Sequence, residues 1–253
     1  MQWLTVIAFA LAVSIREARG TVVAAICSGG RGLVLGTDSV DAQGPLVDNR
    51  YSEKVIRINP LTLICVAAYN SDVRNLCSEL RRVCLMHKAD CDEVLGVDSV
   101  AHVARQLVHS QFKDAHVLVV GSEGKAAAVP KFCIHEILPG GSCIEQTVAV
   151  AGSGSKLIVS LMNELWEEQG AADASHLQLH DAAATAAKLK RALQSAIRSD
   201  PGSGGQVAMW SLTLEQQQQQ QQHQEPCSPT LVLGDEGTSA SVRVALTRVD
   251  VER

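Results

Sequence analysis

Apolar periodicity changes from that of strands to that of helices and back, twice, along this chain, and that order limits the folds open to it. Short apolar runs at 21–27, 32–38, 54–58 and 61–68 read as antiparallel hairpins, with "SGGR" and Asn59-Pro60 supplying turns. From Asn70 the spacing becomes Val73, Leu76, Cys77, Leu80, Val83 and Cys84, the i, i+3, i+4 stripe of an amphipathic helix starting near an Asn/Ser cap. A second stripe, Val100, Val103, Ala104 and Leu107, follows Ser99. Strand-like "HVLVVG" and "TVAVAG" come next. Two further helices are predicted, one on Ile158, Leu161, Met162 and Leu165, the other after Asp181 on Ala186, Leu189, Leu193 and Ile197. The chain returns to strands at "QVAMWSL", "TLVLG" and "SVRVAL". Strands, two helices, strands, two helices, strands: this order predicts sheets packed together with helices outside.

One polar tract interrupts the pattern. "EQQQQQQQHQEP", residues 215–226, has no apolar face to bury and is expected to form a disordered loop between two terminal strands. With 253 residues and 46% hydrophobic content, one sizeable core suffices and a second domain is not required. The formal charge of −5, the lack of a basic run and 3% aromatics argue against nucleic acid as a partner. Eight cysteines are scattered with no C-x-x-C pair, so neither a zinc site nor a disulfide framework is indicated, and no metal or other cofactor is expected. They read as small buried hydrophobes of a reducing compartment.

The first twenty residues, "MQWLTVIAFALAVSIREARG", hold an apolar run from Trp3 to Val13 like a signal-peptide core, too short to span a membrane. No charged n-region precedes it, and the chain has no N-x-S/T acceptor. The competing reading is a propeptide ending at Gly20. Four polar clusters then punctuate apolar elements: Thr21, Asp38 at a strand end, Lys54 at a strand start, and the Ser/Gly turns "GSGS" (152–155) and "DPGSGG" (200–205). Singly, each is explained as a strand opening, a turn, a solvated strand end or a loop. "GSGSK" lacks the spacing of a phosphate loop.

Together, "TVVAAICSGGRGLVLGTDSVDAQG", Lys54 sixteen residues beyond Asp38, "AGSGS" and "SDPGSGG" resemble the proteasome beta subunits, threonine hydrolases of the N-terminal-nucleophile superfamily. The likeness spans roughly 20–213 and resumes at "LVLGDE". It implies an α+β fold, a four-layer αββα sandwich of two stacked antiparallel sheets between helix layers. It also implies residues 1–20 as a propeptide removed by autolysis at Gly20, and 21–253 as one catalytic domain. Thr21 would be the nucleophile, with its freed α-amine as general base. Such an amine has an unperturbed pKa near 8, and a nearby ammonium from Lys54 would lower it. Asp38 matches the carboxylate that pairs with the lysine; Ser153, Asp200 and Ser203 match the groups that orient the threonine amine.

Two positions depart from the family pattern. Ala68 occupies the place of the oxyanion-hole glycine, keeping a backbone N–H but adding a methyl group, and Ala42 replaces a threonine of the substrate-binding segment. "VLGTDS", "NRYSEK" and "LVLGDE" resemble the caspase-like, first beta type. There an arginine at the position of Val66 selects acidic P1 residues; Val66 makes that wall apolar, while Arg74, four residues after Asn70, offers charge from the helix. Asp41, Ser52 and Ile56 complete the implied pocket. The resemblance further implies a threonine endopeptidase in stacked heteroheptameric rings with other beta and alpha subunits, cytoplasmic and nuclear, without membrane attachment, cleaving unfolded or ubiquitin-targeted polypeptides. A non-catalytic ring subunit is the alternative, with Ala68 as its ground, and a secreted hydrolase is a third reading resting on the leader alone.

Overall fold

The computed structural model of the chain describes residues 20–27, 30, 32–43, 46–67, 70–122, 131–167, 182–216, 230–233 and 240–249. Among these, strands β1 (Thr21–Cys27), β2 (Gly32–Thr37), β10 (Val148–Gly152), β11 (Val207–Gln216), β12 (Thr230–Leu233) and β13 (Ala240–Val249) form a six-stranded sheet in the order β10-β1-β2-β11-β13-β12. A five-stranded sheet runs in sequence order through β5 (Val55–Asn59), β6 (Thr62–Ala67), β7 (His116–Ser122), β8 (Phe132–Ile137) and β9 (Cys143–Gln146). The short pair β3 (Asp41–Gln43) and β4 (Leu46–Asn49) lies between the two sheets in sequence. Every pairing is antiparallel.

Period-two side-chain alternation decides the layering. Val22, Leu33 and Leu35 point from the six-stranded sheet into a shared core, where they meet Leu63, Cys65 and Ala67 of β6 and Leu118 and Val120 of β7. Their neighbours Val23 and Val34 point the other way, onto helices α3 (Ser155–Glu167) and α4 (Ala182–Ser199), against Ile158, Met162, Leu189 and Leu193. On the far side Ile64, Val117 and Val119 pack beneath α1 (Asn70–Cys91) and α2 (Val97–Ser110), against Leu76, Leu80, Val100 and Ala104. Both faces of the central strands β1, β2, β6 and β7 are therefore covered, and these strands carry apolar residues at successive positions. This is the expected four-layer αββα sandwich. Close approach sets one glycine: a Cβ on Gly36 would stand 2.5 Å from Leu193 Cδ1, so α4 reaches β2 only where a side chain is missing.

Local differences from the sequence reading have local causes. Helix α2 begins at Val97, two residues before the Ser99 boundary, on the extended residue Gly96 with no side-chain cap. Asp98 in its first turn favours the positive end of the helix. Strands β8 and β9 have no counterpart in the sequence reading: β9 is mostly exposed and gives little apolar signal, and in β8, though it is largely buried, His135 and Glu136 interrupt the apolar run. Asn59 forms the expected turn by accepting from Leu61 N at 2.8 Å, while its amide donates to Leu95 O at 2.9 Å. Strand β11 continues to Gln216, two residues into the glutamine tract; 217–229 lie outside the described residues.

Burial pushes the Cys65 thiol up to about 12, with nearby Cys77 adding to the effect, and the Cys77 thiol up to about 11, an effect Arg81 partly offsets. Such a thiol keeps its proton in the folded chain after losing it in the unfolded one. Its stabilising contribution is complete below the ordinary value of 9.0 and is lost as pH rises toward 11 and 12. Melts between pH 8 and pH 11 are expected to show stability falling progressively above pH 9, because the unfolded chain gives up these protons and the folded one keeps them. Cys65→Ala should have a shallower dependence, and an unchanged slope would remove this explanation.

Candidate active site

Four strands have an end at the same edge of the sandwich. Thr21 opens β1 and lies opposite Gly152, the last residue of β10; Asp38 directly follows β2, beside β1. The antiparallel pairing brings Asp38 N to Thr21 O at 3.1 Å and aims its carboxylate back, where Oδ1 accepts from Thr21 N at 2.7 Å. Lys54 stands just before β5, held by Val66 N donating to its carbonyl at 3.3 Å, and its Nζ donates to the same Oδ1. Gly204 N donates to Oδ2 at 2.9 Å. Asp38 is 0% exposed and Lys54 6%, so the carboxylate has exchanged water for three donors, one of them charged. A buried carboxylate without such partners would be strongly unfavourable.

The Thr21 hydroxyl belongs to a second chain of bonds. Its Oγ1 is 2.6 Å from Ser203 Oγ and accepts from Gly154 N at 3.1 Å. Ser203 Oγ donates to Asp200 Oδ2 at 2.7 Å, and Ser153 Oγ donates to the same oxygen at 2.6 Å. Since Ser203 has given its one proton to Asp200, it accepts from Thr21, which orients the threonine proton away from the opposite face of Oγ1. Gly202 N holds the other Asp200 oxygen at 3.1 Å. A Cβ on Gly154 would stand 2.6 Å from Thr21 Oγ1, so only glycine lets that backbone donor reach the hydroxyl.

The Gly20–Thr21 peptide is held at both ends. Gly20 has φ +89°, and a Cβ there would lie 1.9 Å from Lys54 Nζ. Glycine is thus required for conformation and for space. The Gly20 carbonyl accepts from Ser153 N at 3.2 Å while Thr21 N donates to Asp38, which polarises the carbonyl beside a threonine oxygen. All six residues assigned catalytic roles from the sequence, and Gly20, meet here. Backbone donors Gly154 and Gly204 were not anticipated; their signal was the glycine beside each serine of the two Ser/Gly turns.

The residues expected to bind substrate divide. Ile56 and exposed Arg74 line one open groove of about 460 Å³ with Cys77, Ser78, Arg81, Arg82 and Leu85. Val66, 2% exposed, is packed within the helix-side core with Ile56 against it, so it backs this region without facing solvent. Ser52 is half-buried, its N–H donating to Ser39 O at 2.8 Å. Asp41 and Ala42 lie on β3, with a register shift between them, and Asn70 begins α1. Ala68 lies outside the described residues. One metal-ligand spacing does occur in the chain, His176-x-x-x-His180, also outside them; among the described residues no three His, Cys, Asp or Glu side chains group to hold a metal ion. No described helix is long and apolar enough to cross a membrane.

The protein-family model described as "Proteasome subunit" matches residues 17–212, taking in Gly20 and every residue of both hydrogen-bond networks. The chain belongs to the proteasome subunit family. Proteins it resembles are named as beta subunits. It is 26% identical over 199 residues to a probable proteasome subunit beta type-1 of Encephalitozoon cuniculi, covering 78% of this chain and 90% of that one. Identity to a proteasome subunit beta of Methanopyrus kandleri is 23% over 203 residues, 78% and 89% of the two chains. With proteasome subunit beta type-6 of Arabidopsis thaliana it is 26% over 189 residues, 74% and 75%. These likenesses support a beta subunit of the proteasome core, and membership of the family implies assembly with other proteasome subunits.

Proposed function

We propose that this proteasome subunit is a catalytic beta subunit, a threonine endopeptidase made as a precursor and activated by its own Thr21. The observation that carries this reading is Thr21 itself: a buried hydroxyl with its proton directed to Ser203 and Asp200, beside the Gly20 carbonyl held by Ser153 N. In the precursor Thr21 N is an amide and cannot serve as a base. Attack of Oγ1 on the Gly20 carbonyl carbon forms a C–O bond as the C–N bond breaks, the hydroxyl proton passing finally to the departing nitrogen, which becomes the free α-amine; water then hydrolyses the ester, releasing the leader with a Gly20 carboxylate and restoring the Thr21 hydroxyl. That amine becomes the general base for substrate cleavage, which proceeds through an acyl-threonine. Lys54, joined to it through Asp38, lowers its proton affinity toward neutrality.

The mature subunit sits in stacked heteroheptameric rings with other beta and alpha subunits, in cytoplasm and nucleus, and cleaves unfolded or ubiquitin-targeted chains. Its specificity is a weakened caspase-like one, in which Arg74 attracts acidic P1 residues and the apolar Ile56, backed by the buried Val66, accepts branched ones. A structural ring subunit is the second reading, favoured by Ala68 where the family carries glycine. N-terminal sequencing of the subunit from purified particles is expected to begin at Thr21, and acidic-P1 and branched apolar-P1 peptides are expected to be turned over. An intact leader favours the structural reading; turnover confined to basic-P1 peptides removes the specificity assignment.

A further inference from the structure

Ser39 joins the two networks, and nothing in the chemistry above uses it. It follows Asp38, is 4% exposed, and makes four hydrogen bonds to two separate loops. Its N–H donates to Gly204 O at 3.2 Å and its carbonyl accepts from Ser52 N at 2.8 Å. Its hydroxyl donates to Arg50 O at 2.6 Å and accepts from Gln206 N at 2.8 Å. The first loop delivers Lys54 to Asp38; the second delivers Ser203 to Thr21 and Gly204 to Asp38. Packing leaves no slack where they meet, since a Cβ on Gly205 would stand 2.4 Å from Ser39 Oγ and 2.8 Å from Arg50 O.

We propose that Ser39 is a positioning residue for the reaction, its hydroxyl clamping the lysine loop to the Asp200–Gly205 loop so that Lys54 and Ser203 hold register on Asp38 and Thr21. This rests on the proposed catalytic function. Removing the hydroxyl leaves the Arg50 carbonyl and the Gln206 amide without their partner and frees the two loops to separate. Displacements of about 1 Å at reacting groups can cost on the order of a hundredfold in rate. The charged groups linked to Thr21 are Asp38 from the end of β2, on its nitrogen, Lys54 from the approach to β5, on the same Asp38 oxygen, and Asp200 from the end of α4, which reaches Oγ1 through the Ser203 hydroxyl; the β10–α3 turn adds the neutral donor Gly154 N on Oγ1. Withdrawing the ammonium therefore raises the amine's proton affinity, and the acid limb of the rate profile moves to higher pH.

The test compares assembled particles carrying wild type, Ser39→Ala, Ser39→Thr or Thr21→Ala, assayed with a peptide this subunit cleaves. Ser39→Ala is expected to lower kcat about tenfold with KM within about twofold, and to shift the acid limb of kcat/KM upward by about half a pH unit. Ser39→Thr, which keeps the hydroxyl, should recover most of both. If Ser39→Ala does not enter the particle, Gly205→Ala presses on the intact hydroxyl from the other loop and should give the same signature. An unchanged acid limb in Ser39→Ala overturns the proposal, and so does failure of both subunits to assemble, which would make the clamp purely structural. Thr21→Ala separates the two ideas: if it keeps this subunit's activity, the catalytic reading falls and the role of Ser39 with it, whereas an inactive Thr21→Ala beside an unaffected Ser39→Ala removes the positioning role alone.

Discussion

Replacing Thr21 with Ala is expected to leave the leader attached at Gly20 and to abolish this subunit's peptide hydrolysis, a loss on the order of a thousandfold or more, because the chain then has no hydroxyl at the reacting position. The fold should survive. The substitution removes the acceptor for Gly154 N and the donor to Ser203 at a fully buried position, a cost of about 1–3 kcal/mol that a domain of this size can absorb. Thr21→Ser keeps the oxygen and should process its leader, which distinguishes loss of the nucleophile from disturbance of the strand end. Mass spectrometry of the subunit and hydrolysis by the purified particle measure the two effects. A Thr21→Ala subunit that sheds residues 1–20 and retains its activity would refute the assignment.

Lys54→Met should be nearly as damaging to activity and more damaging to stability. Met has similar length and bulk, so the packing change is small and the lost charge dominates. Asp38, 0% exposed, would keep its two backbone donors, Thr21 N at 2.7 Å and Gly204 N at 2.9 Å, but no cation. Breaking a buried pair by removing one partner costs about 3–5 kcal/mol, since the remaining charge is neither paired nor hydrated. Loss of the ammonium also leaves the freed Thr21 amine beside an uncompensated carboxylate, which favours its protonated, non-basic form, and a rate loss on the order of a thousandfold is expected. Adding Asp38→Asn should return part of the stability and none of the activity. Thermal unfolding of the single and double variants, read beside peptide turnover, checks both. A Lys54→Met subunit as stable as wild type would show that the carboxylate does not depend on this cation.

Ser39 illustrates what the sequence concealed. Beside Asp38 it reads as half of an Asp-Ser turn, and no spacing marks it. Its function as a clamp depends on Arg50 and Gln206, the latter 167 positions away, so it becomes visible only when both loops are placed. Val66 and Arg74 show the same limit from the other direction. As residue types they predict an apolar wall and a charge in one pocket; the packing of α1 on β6 buries Val66 and leaves Arg74 in an open groove. Depth in a pocket depends on what covers a side chain, and covering is a property of the assembled layers.

By itself, the sequence determined the layer order and the set of polar residues that gather at the candidate site. Periods of two and of 3.6 are written locally, so strands and helices were legible along with the sandwich they imply, apart from strands such as β9 whose exposure weakens the apolar pattern. Thr21, Asp38, Lys54, Ser153, Asp200 and Ser203 were legible as polar interruptions of apolar elements, each with an ordinary explanation singly, and the resemblance to the proteasome beta subunits joined them into one set. Tertiary structure alone decided how these groups are wired. Thr21 and Ser203 are 182 residues apart, and only the closing of β1 against β10 and the return of the chain after α4 bring their oxygens to 2.6 Å. The direction of the threonine proton, the shared Asp38 oxygen and the hold on the Gly20 carbonyl follow from that closure, because hydrogen bonds act over about 3 Å and no local pattern encodes a distance of that kind between remote segments.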